Sequence, residues 1–183
     1  MCGQYVTQED DSAEMRAMYQ AVRKAYPDID IRSGDIYPRY TVPLISRGQW
    51  TDTLLLGTAV WGFESKYSSE PIINARIETV RNKPTFRDCF IGGRCLVPAN
   101  GFYEWSPDKK KHLFPSTGGA LLFMAGVCMK TAGGVRFVIL TQAADNTVIE
   151  VHSRMPVLVS ISNMRRWIWD NEYAQDFVKK ILP

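Results

Sequence analysis

With 183 residues, 45% hydrophobic and 22% charged, the chain has the composition of an ordinary soluble protein, long enough for one domain with a sizeable core. Its formal net charge of +3 is too mild to mark a nucleic-acid binder by itself. The four cysteines and two histidines form no CxxC or HxxxH pair, which argues against a structural metal, and no apolar run reaches the length of a membrane span.

Residues 2–7 read as a short strand that follows Met1 with no basic or apolar leader, so a cytoplasmic, reducing compartment is expected, nucleoid-associated when DNA is bound. Asp11 to Glu14 has the form of a helix start, a short acceptor followed three residues later by Glu. Met15, Met18, Tyr19, Val22 and Tyr26 then recur at helical spacing until Pro27 ends the run, and core packing explains them. From Ile36 to Gly133 the pattern is one of strands and turns, with apolar runs at 42–45, 53–60, 94–97 and 120–127. Gly133-Gly134 predicts a hairpin turn ahead of a strand at 135–141. Ser162 is placed to cap a helix carrying Met164, Trp167 and Ile168, with a further short segment at 176–182. The expectation is one α+β domain over residues 1–183, richer in strand than in helix.

Cys2 is the most informative position. If Met1 is removed, Cys2 holds two nucleophiles on adjacent carbons, an amine with pKa about 8 and a thiol about 8.5 in model compounds. An aldehyde can condense with the amine to a Schiff base, which the thiolate closes to a five-membered thiazolidine. Position alone favours the plainer reading of a small residue near a terminus. Asn74 and Arg76, at i and i+2 on an extended segment, would share a face and suit a phosphate or sugar. From Arg76 to Cys95 five basic side chains, Arg81 among them, stand against two acidic ones, a local excess equal to the whole chain's +3. That run reads equally as a solvated basic face. Glu104 sits among Phe102, Tyr103 and Trp105, where burial would raise its pKa toward general acid–base use; an exposed place on an aromatic strand is as good a reading. His152, with Arg154 at i+2, is a candidate proton shuttle or a structural histidine. His112 reads as solvent-facing in a polar loop. Trp61-Gly62 could stack on a base or pack in the core.

Taken in order, Met-Cys-Gly, Trp61-Gly62, Ile73-Asn74-Ala75-Arg76-Ile77-Glu78-Thr79, the block from Cys95 to Trp105 and His152-Ser153-Arg154-Met155-Pro156 resemble the successive motifs of the SOS-response-associated peptidase (SRAP) family of abasic-site processing proteins. The resemblance implies a compact, mainly β domain with barrel-like strands, a few peripheral helices and a basic groove for single-stranded DNA. It implies that Cys2 captures the ring-opened aldehyde of an abasic site as a thiazolidine crosslink. Asn74 would position sugar and amine, Glu104 would act as general acid/base, and His152 would assist proton transfer and crosslink reversal. Arg76 and Arg154 would grip phosphates, with Trp61, Thr141 and Arg81 along the DNA path.

The resemblance also implies N-terminal peptidase and abasic-site lyase activity, no cofactor, no metal, no membrane and a monomer. The family commonly has Arg where this chain has Gln4, and a Leu-like residue and a Pro where it has Phe63-Glu64-Ser65, so Glu64 adds negative charge near the DNA path. Two other classes compete: an N-terminal-nucleophile glutamine amidotransferase, which also begins Met-Cys-Gly, and a non-covalent single-strand or modified-DNA binder.

Overall fold

The computed structural model describes residues 2–48 and 53–181; Met1 and Leu182, on which expectations above fall, lie outside the described residues. Strand β1 (Gln4–Thr7) follows Cys2, and helix α1 (Ala13–Ala25) begins where Ser12 Oγ accepts the Met15 N–H at 2.9 Å. The cap is therefore Ser12, and Met15, Tyr19 and Val22 face inward as their spacing requires. Strands β2 (Gly34–Ile36), β3 (Thr41–Arg47), β4 (Leu54–Trp61) and β5 (Asn74–Arg76) lead to helix α2 (Pro84–Gly92). Then come β6 (Arg94–Ala99), β7 (Gly101–Trp105), β8 (Lys111–Pro115), β9 (Leu122–Thr131), β10 (Gly134–Ala143) and β11 (Arg154–Pro156). Helices α3 (Met164–Trp169) and α4 (Asn171–Ile181) finish the described chain.

Five strands close on themselves. The path β10-β4-β3-β6-β9 returns to β10, because β10 pairs with β4 in parallel and with β9 antiparallel. Closure gives each barrel strand a neighbour on both sides, with β4 meeting β10 through Val60 and Trp61 and β3 meeting β6 through Ile45 and Ser46. A second sheet, β2-β1-β7-β8, carries the N-terminus. Strand β6 is buried along its whole length and shows how the layers divide. Cys95, Val97 and Ala99 pack with Tyr5, Trp61, Phe102 and Phe137 in one core, while Leu96 packs with Phe90, Trp167 and Val178 under the helices. This is the mainly β architecture with peripheral helices that the sequence leads one to expect.

Four expectations need correction. Helix α2 lies in a stretch read as strands and turns: its apolar stripe is only Phe86, Cys89 and Phe90, too short for periodicity to speak, and the available signal was Pro84 at its first turn. His112 lies on β8 as the cross-strand partner of Glu104 and is half-buried, with Nε2 3.3 Å from Ser106 Oγ. Helix α3 has no side-chain cap from Ser162, and α4 starts at Asn171, five residues before the predicted segment, because Asp170 Oδ1 accepts the Tyr173 N–H at 2.8 Å.

Candidate active site

The end of β10 organises the polar residues. Its pairing with β9 ends at Ile139↔Gly126, and beyond that point it is flanked by β5 in parallel and β11 antiparallel. Thr141 consequently stands between Arg76 of β5 and Pro156 of β11. On the neighbouring sheet, β1 pairs with β7 through Gln4↔Tyr103, and running that register back two residues lays Cys2 and Gly3 beside Glu104 and Trp105.

Cys2 is fully buried, and Asn74 Nδ2 donates to its carbonyl at 2.8 Å. Asn74 Oδ1 is buried and accepts no hydrogen bond among the described residues, so the amide that fixes the Cys2 backbone still has an acceptor to offer. The Cys2 thiol donates to the Gln4 carbonyl at 3.7 Å. Burial pushes that thiol well above its ordinary range, and the Glu104 carboxylate adds to the shift. That shift favours the neutral thiol over the thiolate.

Glu104 is 0% exposed, and burial raises its pKa against the opposing pull of nearby positive charge, His152 included. His152 Nδ1 lies 3.7 Å from Glu104 Oε2 and 3.0 Å from both the amide nitrogen and the carbonyl oxygen of Arg154. With a proton on Nδ1 the ring donates to the carbonyl; without it, Nδ1 accepts the Arg154 N–H. Either tautomer finds a backbone partner at Nδ1.

The arginines differ. Arg76 is exposed and makes no ion pair among the described residues. Arg154 forms a two-point pair with Glu78, at 2.5 and 2.9 Å, and its Nη2 also donates to the Thr141 carbonyl at 2.6 Å. Its Nε–H is buried and donates to nothing among the described residues. The Arg154 guanidinium in turn holds Glu78 below the usual carboxylate range. The sequence reading overlooked Glu78 in this role. The signal was there: it is the acid four residues after Asn74 inside a basic run.

Trp61 does not line a DNA path here. It is fully buried, donates from Nε1 to the Ile73 carbonyl at 3.0 Å, and packs edge-on to Tyr5 and flat on Phe137. It therefore fixes the residue before Asn74 from inside the core, and its indole face offers no base a platform. Thr141 is likewise fully buried and serves as an acceptor for Arg154. Arg81 is not brought to this group; it lines a cavity beside α2. Gln4 is buried and donates to the Tyr37 hydroxyl at 3.1 Å. The charge of Glu64 is matched by Arg136 at 2.7 Å. Among the described residues no group of three or more His, Cys, Asp or Glu side chains is placed to hold a metal ion, and no helix is long and apolar enough to cross a membrane.

The sequence model of the family described as SOS response associated peptidase (SRAP) matches residues 1–182. The abasic site processing protein YedK of Escherichia coli K12 is 26% identical over 178 residues, 92% of this chain and 79% of its own length. YoaM of Bacillus subtilis 168, also named an abasic site processing protein, is 28% identical over 141 residues, which is 69% of this chain and 62% of YoaM. The chain thus spans less than two thirds of that relative. Among solved structures, a protein from Bacteroides thetaiotaomicron superposes with a TM-score of 0.73 at 18% identity, covering 99% of this chain and 86% of its own. A phage-related protein from Bordetella bronchiseptica gives 0.69 at 27% identity, covering 100% and 90%.

Proposed function

Because the chain belongs to the SOS response associated peptidase (SRAP) family, we propose that it processes abasic sites in single-stranded DNA by capturing the sugar aldehyde on Cys2 once Met1 has been removed. The observation that carries this reading is the clamp on Cys2: Asn74 holds its carbonyl at 2.8 Å while Asn74 Oδ1 accepts no hydrogen bond among the described residues. That acceptor suits an N–H of the freed Cys2 amine or a hydroxyl of the opened sugar.

The chemistry follows from the charge states. Glu104, whose pKa burial raises, donates a proton to the ring oxygen as the ring C–O bond breaks, and the proton of the anomeric hydroxyl returns to the Glu104–His152 pair as the aldehyde forms. The Cys2 amine adds to the aldehyde carbon and water leaves, giving the imine. The thiol then adds across the C=N bond: sulfur bonds to carbon, and its proton passes by way of Glu104 to nitrogen. His152, 3.7 Å from Glu104, takes or returns a proton in either direction, so the same pair serves reversal. A thiol that rests neutral is suited to reacting second, after the amine has made an electrophile. Arg76 offers an exposed phosphate contact, while Arg154, held by Glu78, keeps positive charge beside it.

Incubation of the Met1-processed protein with a single-stranded oligonucleotide bearing one abasic site should give a heat-stable band on denaturing electrophoresis. Cys2→Ala should abolish that band. Equal crosslinking by Cys2→Ala would overturn the reading.

A further inference from the structure

The basic run after Arg76 is not used up by the site. It folds into the turn that follows β5 and into α2, beside a cavity of about 340 Å³ between α2 and α4. Three of the lining side chains are arginines, Arg81, Arg87 and Arg94, and none is a carboxylate. Arg94 forms the fixed back of the cavity. It is 3% exposed, and it donates to the carbonyls of Phe90 at 2.7 Å, Ile91 at 3.2 Å and Ile168 at 3.1 Å and to Asn171 Oδ1 at 2.7 Å. Its charge is held by dipoles, with no carboxylate in contact among the described residues, and burial lowers its pKa to about 10. Since Asn171 Oδ1 is taken by Arg94, the donor end of that amide is left for a ligand. Arg81 has no ion-pair partner among the described residues, and Arg87 engages Asp88 only through Nε, at 3.2 Å. The cavity therefore gathers fixed positive charge and unmet donors, the requirements of an anion.

Its place suggests which anion. Arg81 is three residues beyond Glu78, the partner of Arg154, so their Cα atoms are at most about 11 Å apart. A strand held at Arg76 and Arg154 reaches the cavity within a few nucleotides. We propose that this cavity binds a backbone phosphate of the same single-stranded DNA, held by Arg81, Arg87 and the Asn171 amide, with the adjoining sugar against the exposed Ile91. This rests on the function proposed above and extends the DNA footprint to a second, separate contact. A free phosphate shares the chemistry, and the test separates the two sources.

Arg87→Ala and Gln175→Glu alter exposed positions of the cavity that take no part in the Cys2 cluster. Non-covalent affinity and crosslinking are measured with a short abasic oligonucleotide, one nucleotide on each side of the lesion, and with a long one extended both ways. Both variants should treat the short oligonucleotide as wild type does and bind the long one about tenfold more weakly, with the salt slope for Arg87→Ala shallower by about 0.7. Unchanged affinity and slope on the long oligonucleotide would overturn the inference, even while wild-type crosslinking upholds the Cys2 chemistry. Loss of inorganic phosphate binding in the variants with oligonucleotide binding intact would assign the cavity to free phosphate and overturn it too. Failure of wild type to crosslink either oligonucleotide would count against the Cys2 reading, while the affinity difference would still decide this one.

Discussion

Arg94 and Arg154 are both withdrawn from solvent, yet the protein holds them in opposite ways. Arg94 lies under the helices, and its guanidinium joins carbonyls at the ends of α2 and α3 to the first residue of α4. Arg154 lies at the end of β10, held by the Glu78 carboxylate and the Thr141 carbonyl. Many carbonyl dipoles make a rigid joint that no single competitor replaces. One carboxylate makes a partner that balances charge and leaves the buried Nε–H without an acceptor among the described residues. The helical side is thus built to stay fixed, whereas under the function proposed above the β10 end meets an anion and moves protons.

Arg94→Ala should cause the largest loss, about 3–5 kcal/mol in urea unfolding, because several buried acceptors would lose their donor at once. A loss under about 1 kcal/mol would mean that water replaces the guanidinium and that the joint is not rigid. Glu104→Gln acts on the other region and on rate. Crosslinking should slow on the order of 100-fold, or about 2.7 kcal/mol of barrier, with non-covalent DNA binding intact. Its stability should also change with pH in a defined sense. A folded pKa raised by burial means that Glu104 costs nothing below its unfolded pKa, about 4.3, and that wild type loses stability as pH rises through the folded pKa. Glu104→Gln should lack that decline, and superimposable pH profiles would remove the burial argument.

Glu78→Gln should have the smallest effect, about 1–2 kcal/mol, since the pair is partly exposed, 17% and 24% for the two side chains. The sign of its pH dependence is reversed. The folded pKa is lowered by Arg154, so the contribution is present above about pH 4.3 and is lost as pH falls through the folded pKa. Wild type should therefore lose more stability than Glu78→Gln on acidification. Equal losses would show that the pair contributes nothing in solution.

Some of this was legible in the sequence. Cys2, Asn74, Glu104 and His152 lie in distinctive motifs, and the fold does bring them together at one end of the barrel. Strand runs were legible where apolar residues cluster between turn residues, as at β3 and β10. Closure was not, because the parallel pairing of β4 with β10 joins residues some seventy-six apart, Val60 and Arg136, and no local pattern encodes a partner. Trp61 was misjudged for a related reason: an aromatic beside glycine looks the same in a groove or a core, and only the distant Phe137 and Ile73 carbonyl decide. The glycine has its own reason, since at Gly62, with φ +112°, a Cβ would lie 2.7 Å from Pro71 Cβ.

The most direct test is the intact mass of the product formed with an abasic-site oligonucleotide. The product should have the mass of the protein without Met1 plus the oligonucleotide minus one water, with fragmentation placing the adduct on Cys2. An adduct on protein that retains Met1, or one mapped to a lysine, would contradict the proposed function.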